Sequence, residues 1–343
     1  MLVEILLRGF ILGLSEIKWS DVVAVRRLAV GGMASVFLVD RLNSRFRKRI
    51  VIKTILEKYI SDAAVRDLFI REATRHASLA HPNIVQLFDF GHDSQSLYMA
   101  LEYVSGGNLS TFSQSEYAKD KREMLARRVI ENIGSALSTV HKFMIHGDIS
   151  PGNILYGPDG SFKLCDFGLA RDLLPETSPI SDQYQKGTIR YMAPEQISRS
   201  HSDIRSDIFS LGITAAEFYS GTRLYGDLPP DQLAHLIRSG AYLKHIQRMN
   251  LPESLYDVIL RAVQPSPHDR FQSADDLLLA LSCQRRLASS VDRSSLDASL
   301  RWHDNADRSE PKRVSKLSSL LSLLLTLPTL LLLPLIMLWK KRT

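Results

Sequence analysis

The chain has 343 residues, 45% of them hydrophobic, and a formal net charge of +6 at pH 7. That length exceeds one small domain and fits a large two-lobed unit with a tail, and the modest charge forms no long basic block, so no nucleic-acid partner is implied. The two cysteines, Cys165 and Cys283, are too far apart in sequence to suggest a metal cluster or a disulfide framework, which favours a reducing compartment.

Residues 1–21 are apolar but interrupted by Glu4 and Arg8, and they lack the basic start and cleavage site of a leader. They are expected to form an N-terminal extension. Residues 22–55 read as strands: VVAVRRLAV, a Gly31-Gly32 turn, SVFLVD, then RKRIVIKTI. Residues 61–79 carry a helical period, with Val65, Leu68, Phe69 and Glu72 on one side. Strands return over 84–104, with the lobe boundary near Tyr103–Asn108. Beyond it the segments 121–142, 203–220, 231–248, 253–263 and 273–283 are helical in pattern. A strand-rich first third followed by helices predicts an α+β fold of two lobes, the smaller N-lobe at about 22–103 and the larger C-lobe at about 108–285. Residues 286–316 are rich in Ser, Asp and Arg and read as a disordered juxtamembrane linker.

Leu317 to Trp339 contains no charged residue and is dominated by leucine. At ~1.5 Å per residue it would reach ~34 Å, enough for the ~30 Å hydrocarbon core. Trp339 and the basic tail 340–343 suit an interface. The expectation is a single-pass C-terminal transmembrane helix, with membrane lipid as a partner and the rest of the chain cytoplasmic.

Three sets of residues carry chemistry. Ala29, Val30, Gly31, Gly32, Ala34 and Val36 make a glycine-bearing hairpin, in which backbone amides can approach phosphates. Lys53 stands in the apolar strand IVIKTI, where a buried ammonium needs an anion, and Glu72 on the following helix is its expected partner. HGDISPGN at 146–153 and DFG at 166–168 then bring together Asp148, Asn153 and Asp166. Asn153 and Asp166 offer hard oxygen ligands for Mg²⁺, and Asp148 is left to accept a hydroxyl proton.

With those marks in place, the chain resembles the eukaryotic-type serine/threonine protein kinase family, especially its bacterial members. The resemblance also rests on HPNIVQL (81–87), GTIRYMAPE (187–195), SDIFSLG (206–212) and Arg270 in SPHDRF, all in family order over about residues 22–285. It implies the two-lobed protein-kinase-like fold, ATP and Mg²⁺ as cofactors, and Ser/Thr-bearing proteins as substrates. It implies that Lys53 holds the ATP phosphates, Glu72 braces it, Asp148 is the catalytic acid–base, and Asn153 and Asp166 bind metal. Ile52, Leu101, Glu102 and Val104 are expected around the adenine. Thr188 lies in the strip that shapes the substrate site, and Glu195, Arg270 and Asp207 are structural.

Three departures stand out. Ala29 and Ala34 replace the first and third loop glycines, Gly147 stands where the family often has arginine, and Ser150 replaces a lysine near the transferring phosphate. Gly147 removes a bidentate clamp for a phosphorylated activation segment. Ser150 cannot neutralise developing charge. The alternative reading is a weak or inactive pseudokinase that binds nucleotide as a membrane-tethered scaffold. Serines 289–299 in the linker suggest autophosphorylation and self-association.

Overall fold

The computed structural model describes residues 22–41, 48–92, 97–112, 119–172, 188–198 and 202–284. These fall within one compact unit, 1–289. Five antiparallel strands open it: β1 (Val22–Val30), β2 (Ala34–Arg41), β3 (Lys48–Ile55), β4 (Leu87–His92) and β5 (Leu97–Glu102), in the order β1-β2-β3-β5-β4. Helix α1 (Ala63–Ala77) lies between β3 and β4 in sequence, and Asp62 caps it by accepting from the Ala64 and Val65 N–H groups.

Register decides which strand residues meet α1. Lys53 pairs with Val36 on β2 and Met99 on β5, whereas Ile52 pairs with Phe37 and Ala100. Successive side chains alternate faces. Ile55, Met99, Leu97 and Ala34 therefore pack with Phe69 and Ala73 of α1. Ile50 and Ile52 join Val39, Tyr98 and Ala100 in a separate cluster on the opposite face.

The second lobe is helical. Helix α2 (Lys119–Val140) is followed by strands β6 (Met144–Ile145), β7 (Ile154–Tyr156), β8 (Phe162–Leu164) and β9 (Arg171–Asp172). Next come a short helix α3 (Pro194–Ile197), α4 (Ile204–Ser220), α5 (Pro230–Arg238), α6 (Leu243–Arg248) and α7 (Glu253–Ala262). A last helix, α8, covers 274–284. Residues Ser206 to Tyr219 of α4 are all buried, as an all-round apolar helix requires. The single helix expected over 231–248 is two, α5 and α6. Gly240 between them has φ of 72°, a left-handed conformation that ends one helix before the next begins.

The expected transmembrane helix is corrected here. Among the described residues, no helix is long and apolar enough to cross a membrane. The longest, α2 with 22 residues, carries charges along its length, and α4, the most apolar, has 17 residues and is enclosed by its own lobe. The stretch 317–339 lies outside the described residues, as do the extension 1–21, the linker 286–316 and its serines. The fold class is the two-lobed α+β kinase-like fold, with no membrane-spanning helix among the described residues. The lipid partner, the membrane localisation and the anchored arrangement rested on that helix and have no support among the described residues.

Candidate active site

Between the lobes lies a cavity of about 410 Å³. Its lining includes Ala29, Val30, Gly31, Gly32, Ala34 and Val36 from the first hairpin, Lys53 and Glu72, and Asp148, Ser150, Asn153 and Asp166 from below. Residues far apart in sequence converge there because β3 faces α1 while β6 to β9 frame the loops beneath.

Lys53 Nζ is 2.6 Å from Glu72 Oε1 and 3.2 Å from Asp166 Oδ1. One cation thus sits between two carboxylates. Burial alone would lower the Lys53 pKa, but Asp166 and Glu72 outweigh it and hold it above the ordinary lysine value. Asp166 is held below the usual carboxylate range, chiefly by Lys53. Glu72 is pushed up to about 7 by burial, against the pull of Lys53. Asp166 has φ of 66°, the only positive value outside glycine among the described residues. Such strain persists where the surroundings over-determine it; here Lys53 and the Gly168 N–H, 3.2 Å away, both hold the carboxylate.

Asp148 is placed from two sides. Its Oδ2 accepts from Asn153 Nδ2 at 2.8 Å, and the same amide reaches the Asp148 carbonyl at 2.9 Å. Its Oδ1 is buried and has no partner. Burial pushes this carboxyl up to about 6, Asp166 adds to the rise, and the Asn153 hydrogen bond opposes it. With its NH₂ turned to Asp148, Asn153 has its side-chain oxygen left as an acceptor. Asn153 and Asp166 therefore present oxygen donors suited to a hard cation that keeps phosphate and water as its other ligands. No group of three His, Cys, Asp or Glu that could cage a metal exists among the described residues.

The supports of the loop were only partly visible in sequence. Asp207 accepts from the backbone N–H groups of His146 and Gly147, both at 2.8 Å, and lies 3.0 Å from His141 Nε2. Buried Phe167 packs on His76 and His146, with ring centroids 4.7 Å and 5.0 Å away. Burial lowers the pKa of both histidines, which keeps them neutral among apolar neighbours. His76 and the ring stack were not foreseen; the only signal was the buried period of α1. Glu195 and Arg270 form a bidentate pair at 2.6 and 2.8 Å, with Arg270 wholly buried. Thr188 opens a short turn, Thr188–Tyr191, that leads to it.

Four expected residues do not line the cavity. Ile52 faces the opposite side of the sheet. Leu101, Glu102 and Val104 lie at the connection between lobes, where the Glu102 N–H donates to the Gln86 carbonyl at 2.8 Å and its carboxylate takes Lys163 Nζ at 2.7 and 2.8 Å. Met33, Val65, Leu68, Phe69, Gly168 and Leu169 complete the lining instead.

A two-lobed molecule with a lysine–carboxylate triad above and an aspartate–asparagine pair below has the layout of a protein kinase domain. The comparisons agree: the model of the protein kinase domain matches residues 23–280. The chain belongs to the protein kinase family, in its eukaryotic-type bacterial branch, whose members use ATP and Mg²⁺. It is 32% identical over 276 residues to the tyrosine-protein kinase MasK of Myxococcus xanthus, covering 76% of this chain and 42% of that protein. It is 31% identical over 263 residues to the serine/threonine-protein kinase PrkC of Bacillus subtilis, covering 74% and 39%. It is 28% identical over 273 residues to the serine/threonine-protein kinase PknA of Mycobacterium tuberculosis, covering 76% and 60%. The chain spans about two fifths of the length of the first two.

Proposed function

We propose that this protein transfers the γ-phosphoryl group of ATP to serine or threonine hydroxyls of other proteins. The observation that carries this reading is Asp148: one carboxylate oxygen is fixed by Asn153, and the other is buried without a partner at the wall of the cavity. An incoming hydroxyl supplies the missing donor. Its oxygen forms the new bond to phosphorus, the bond to the β–γ bridging oxygen breaks, ADP departs, and the hydroxyl proton passes to Asp148. Lys53 offsets charge on the phosphates, and Glu72 and Asp166 keep it in place. Mg²⁺, held by Asn153 and Asp166, would supply neutralisation of the phosphate oxygens.

The glycine loop supports the same reading. A Cβ added at Gly31 would meet only the Ala34 carbonyl, at 3.5 Å, an ordinary contact. The fold itself does not demand glycine there, which leaves close approach of a ligand as the reason for it. Six of the bacterial relatives carry serine/threonine kinase names while one carries a tyrosine kinase name; GTIRYMAPE favours the former for this chain.

The test is transfer of radiolabelled phosphate by the whole chain to a generic basic protein, followed by phosphoamino-acid analysis. Label on serine or threonine that falls on the order of 10²–10⁴-fold in Asp148→Asn supports the proposal. Nucleotide binding with no transfer by either protein sinks it and favours the scaffold reading to which Ser150 points.

A further inference from the structure

A second cavity, also about 410 Å³, lies in the helical lobe and shares no lining residue with the cleft. Its walls come from the start of α2, the end of α4 with the turn that follows, and α6. Four of its side chains are basic or can become so: Arg122, Arg223, His245 and Arg248; no aspartate or glutamate lines it. Neighbouring acids are occupied. Asp227 lies 3.3 Å from Arg223 and 3.8 Å from Arg190. Glu217 accepts from the Tyr191 hydroxyl and the Leu224 N–H, both at 2.7 Å, and Glu123 accepts from Ser254.

A separate observation points to an absent ligand. The Arg122 Nε is buried and meets no acceptor. Its guanidinium lies 5.9 Å from the centre of the Tyr219 ring, a contact that orients the charge without satisfying its donors. A buried arginine donor without an acceptor is unfavourable, and an anion entering the cavity would remove that deficit.

We propose that this cavity binds a phosphorylated serine or threonine side chain of a polypeptide. Arginine matches a phosphate dianion by paired N–H donors, and Arg122 and Arg248, with Arg223 shared between the cavity and Asp227, suit two negative charges better than one. The polypeptide is favoured over free phosphate by the remaining walls. Tyr219 and Met249 are apolar surfaces that a lone phosphate would leave unused, and the volume is far larger than one phosphate fills. His245, Arg248 and Arg223 are exposed, so a chain can reach the site from solvent. A kinase holding such a site would retain proteins that already carry phosphate while presenting their other hydroxyls to the cleft.

The experiment uses the whole chain and a degenerate fluorescent peptide library containing phosphothreonine, with the unphosphorylated library and inorganic phosphate alongside. The phosphorylated library is expected to bind about tenfold or more tightly than the unphosphorylated one, as charge-assisted pairs imply. Arg122→Gln with Arg248→Gln should abolish that preference, while transfer to a generic basic protein stays within about twofold, because neither residue touches the cleft. Should Arg122→Gln fold poorly, Arg248→Gln alone, at an exposed position, should reduce the preference and Arg248→Lys restore part of it. Equal binding of the two libraries overturns the proposal. So does a preference that survives the substitutions, or inorganic phosphate displacing the peptide at concentrations equal to the peptide's own affinity. The readout is binding, so a failure of phosphotransfer leaves this test intact.

Discussion

Asp148 carries opposite demands at the scale of one residue. The proposed transfer needs its carboxylate free to take a proton, and burial resists the charge, so its pKa is pushed up to about 6. Below that value the group is protonated and cannot accept. The rate of transfer is therefore expected to fall about tenfold per pH unit as the pH drops below about 6, and to level off above it. A pH–rate profile flat down to pH 5 would remove Asp148 from the role of base. The same shift has a stability consequence. A carboxyl whose folded pKa is raised favours the folded state while protonated, and that advantage is lost as pH rises from the ordinary Asp value through about 6. At pH 7 the ionised group is thus a net burden on the fold. Asp148→Asn should raise stability by about 1 kcal/mol at pH 7, after allowance for partial exposure, while removing transfer. Thermal melts at pH 7 and pH 4.5 check the sign, because the gain should vanish at the lower pH.

Arg270 shows at the scale of elements how segments distant in sequence are joined. Its Nε and both terminal nitrogens reach the carbonyls of Gln264, Arg205 and Pro265 and both oxygens of Glu195, so all five N–H donors have acceptors. One side chain ties α3, the start of α4 and the turn after α7. Arg270→Ala removes the cation that faces the buried Glu195 carboxylate and should cost about 3–5 kcal/mol in denaturant unfolding. Arg270→Lys should recover little, since an ammonium cannot span both oxygens and three carbonyls; recovery of more than half would show that charge alone matters. Such links explain what the sequence made legible. Lys53 and Glu72 announced themselves because charges in apolar segments need each other, and the Asp148, Asn153 and Asp166 spacing announced the lower half of the site. Ile52 was misplaced although strand alternation held the answer, since Val51 and Lys53 share one face and Ile52 must take the other. The His76–Phe167–His146 stack was hidden because it depends on how α1 lies over the second lobe, which no local pattern encodes. The break of 231–248 into α5 and α6 turned on a single glycine in an otherwise continuous period.

At the scale of the whole molecule, the second lobe itself fixes the loop that carries Asp148. An arginine before Asp148 would tie that loop to a phosphate on the activation segment; here the position is Gly147, with φ of 81°, and a Cβ there would meet the Leu169 carbonyl at 3.0 Å. The loop is held from other directions instead. Asp207, at the start of α4, takes the N–H groups of His146 and Gly147, and Gln196 Nε2 in α3 donates to the Gly147 carbonyl at 3.3 Å. The segment 173–187, with its hydroxyls Thr177, Ser178 and Ser181, lies outside the described residues. With those anchors to the second lobe, the loop is expected to hold its place without a phosphate. Transfer rates before and after phosphatase treatment should accordingly agree within about threefold, against the hundredfold or larger loss expected on removing a bidentate arginine–phosphate clamp that orders a site. Gly147→Arg gives the complementary measurement. It forces a side chain into left-handed backbone at a cost of about 1–2 kcal/mol and crowds Leu169, so it should lower stability and activity together rather than create dependence on phosphate. A variant that stays fully stable and becomes phosphatase-sensitive would show that the glycine is a lost clamp in an otherwise conventional loop. A drop of hundredfold in the untreated protein on dephosphorylation would show that the segment governs the site by contacts other than this one.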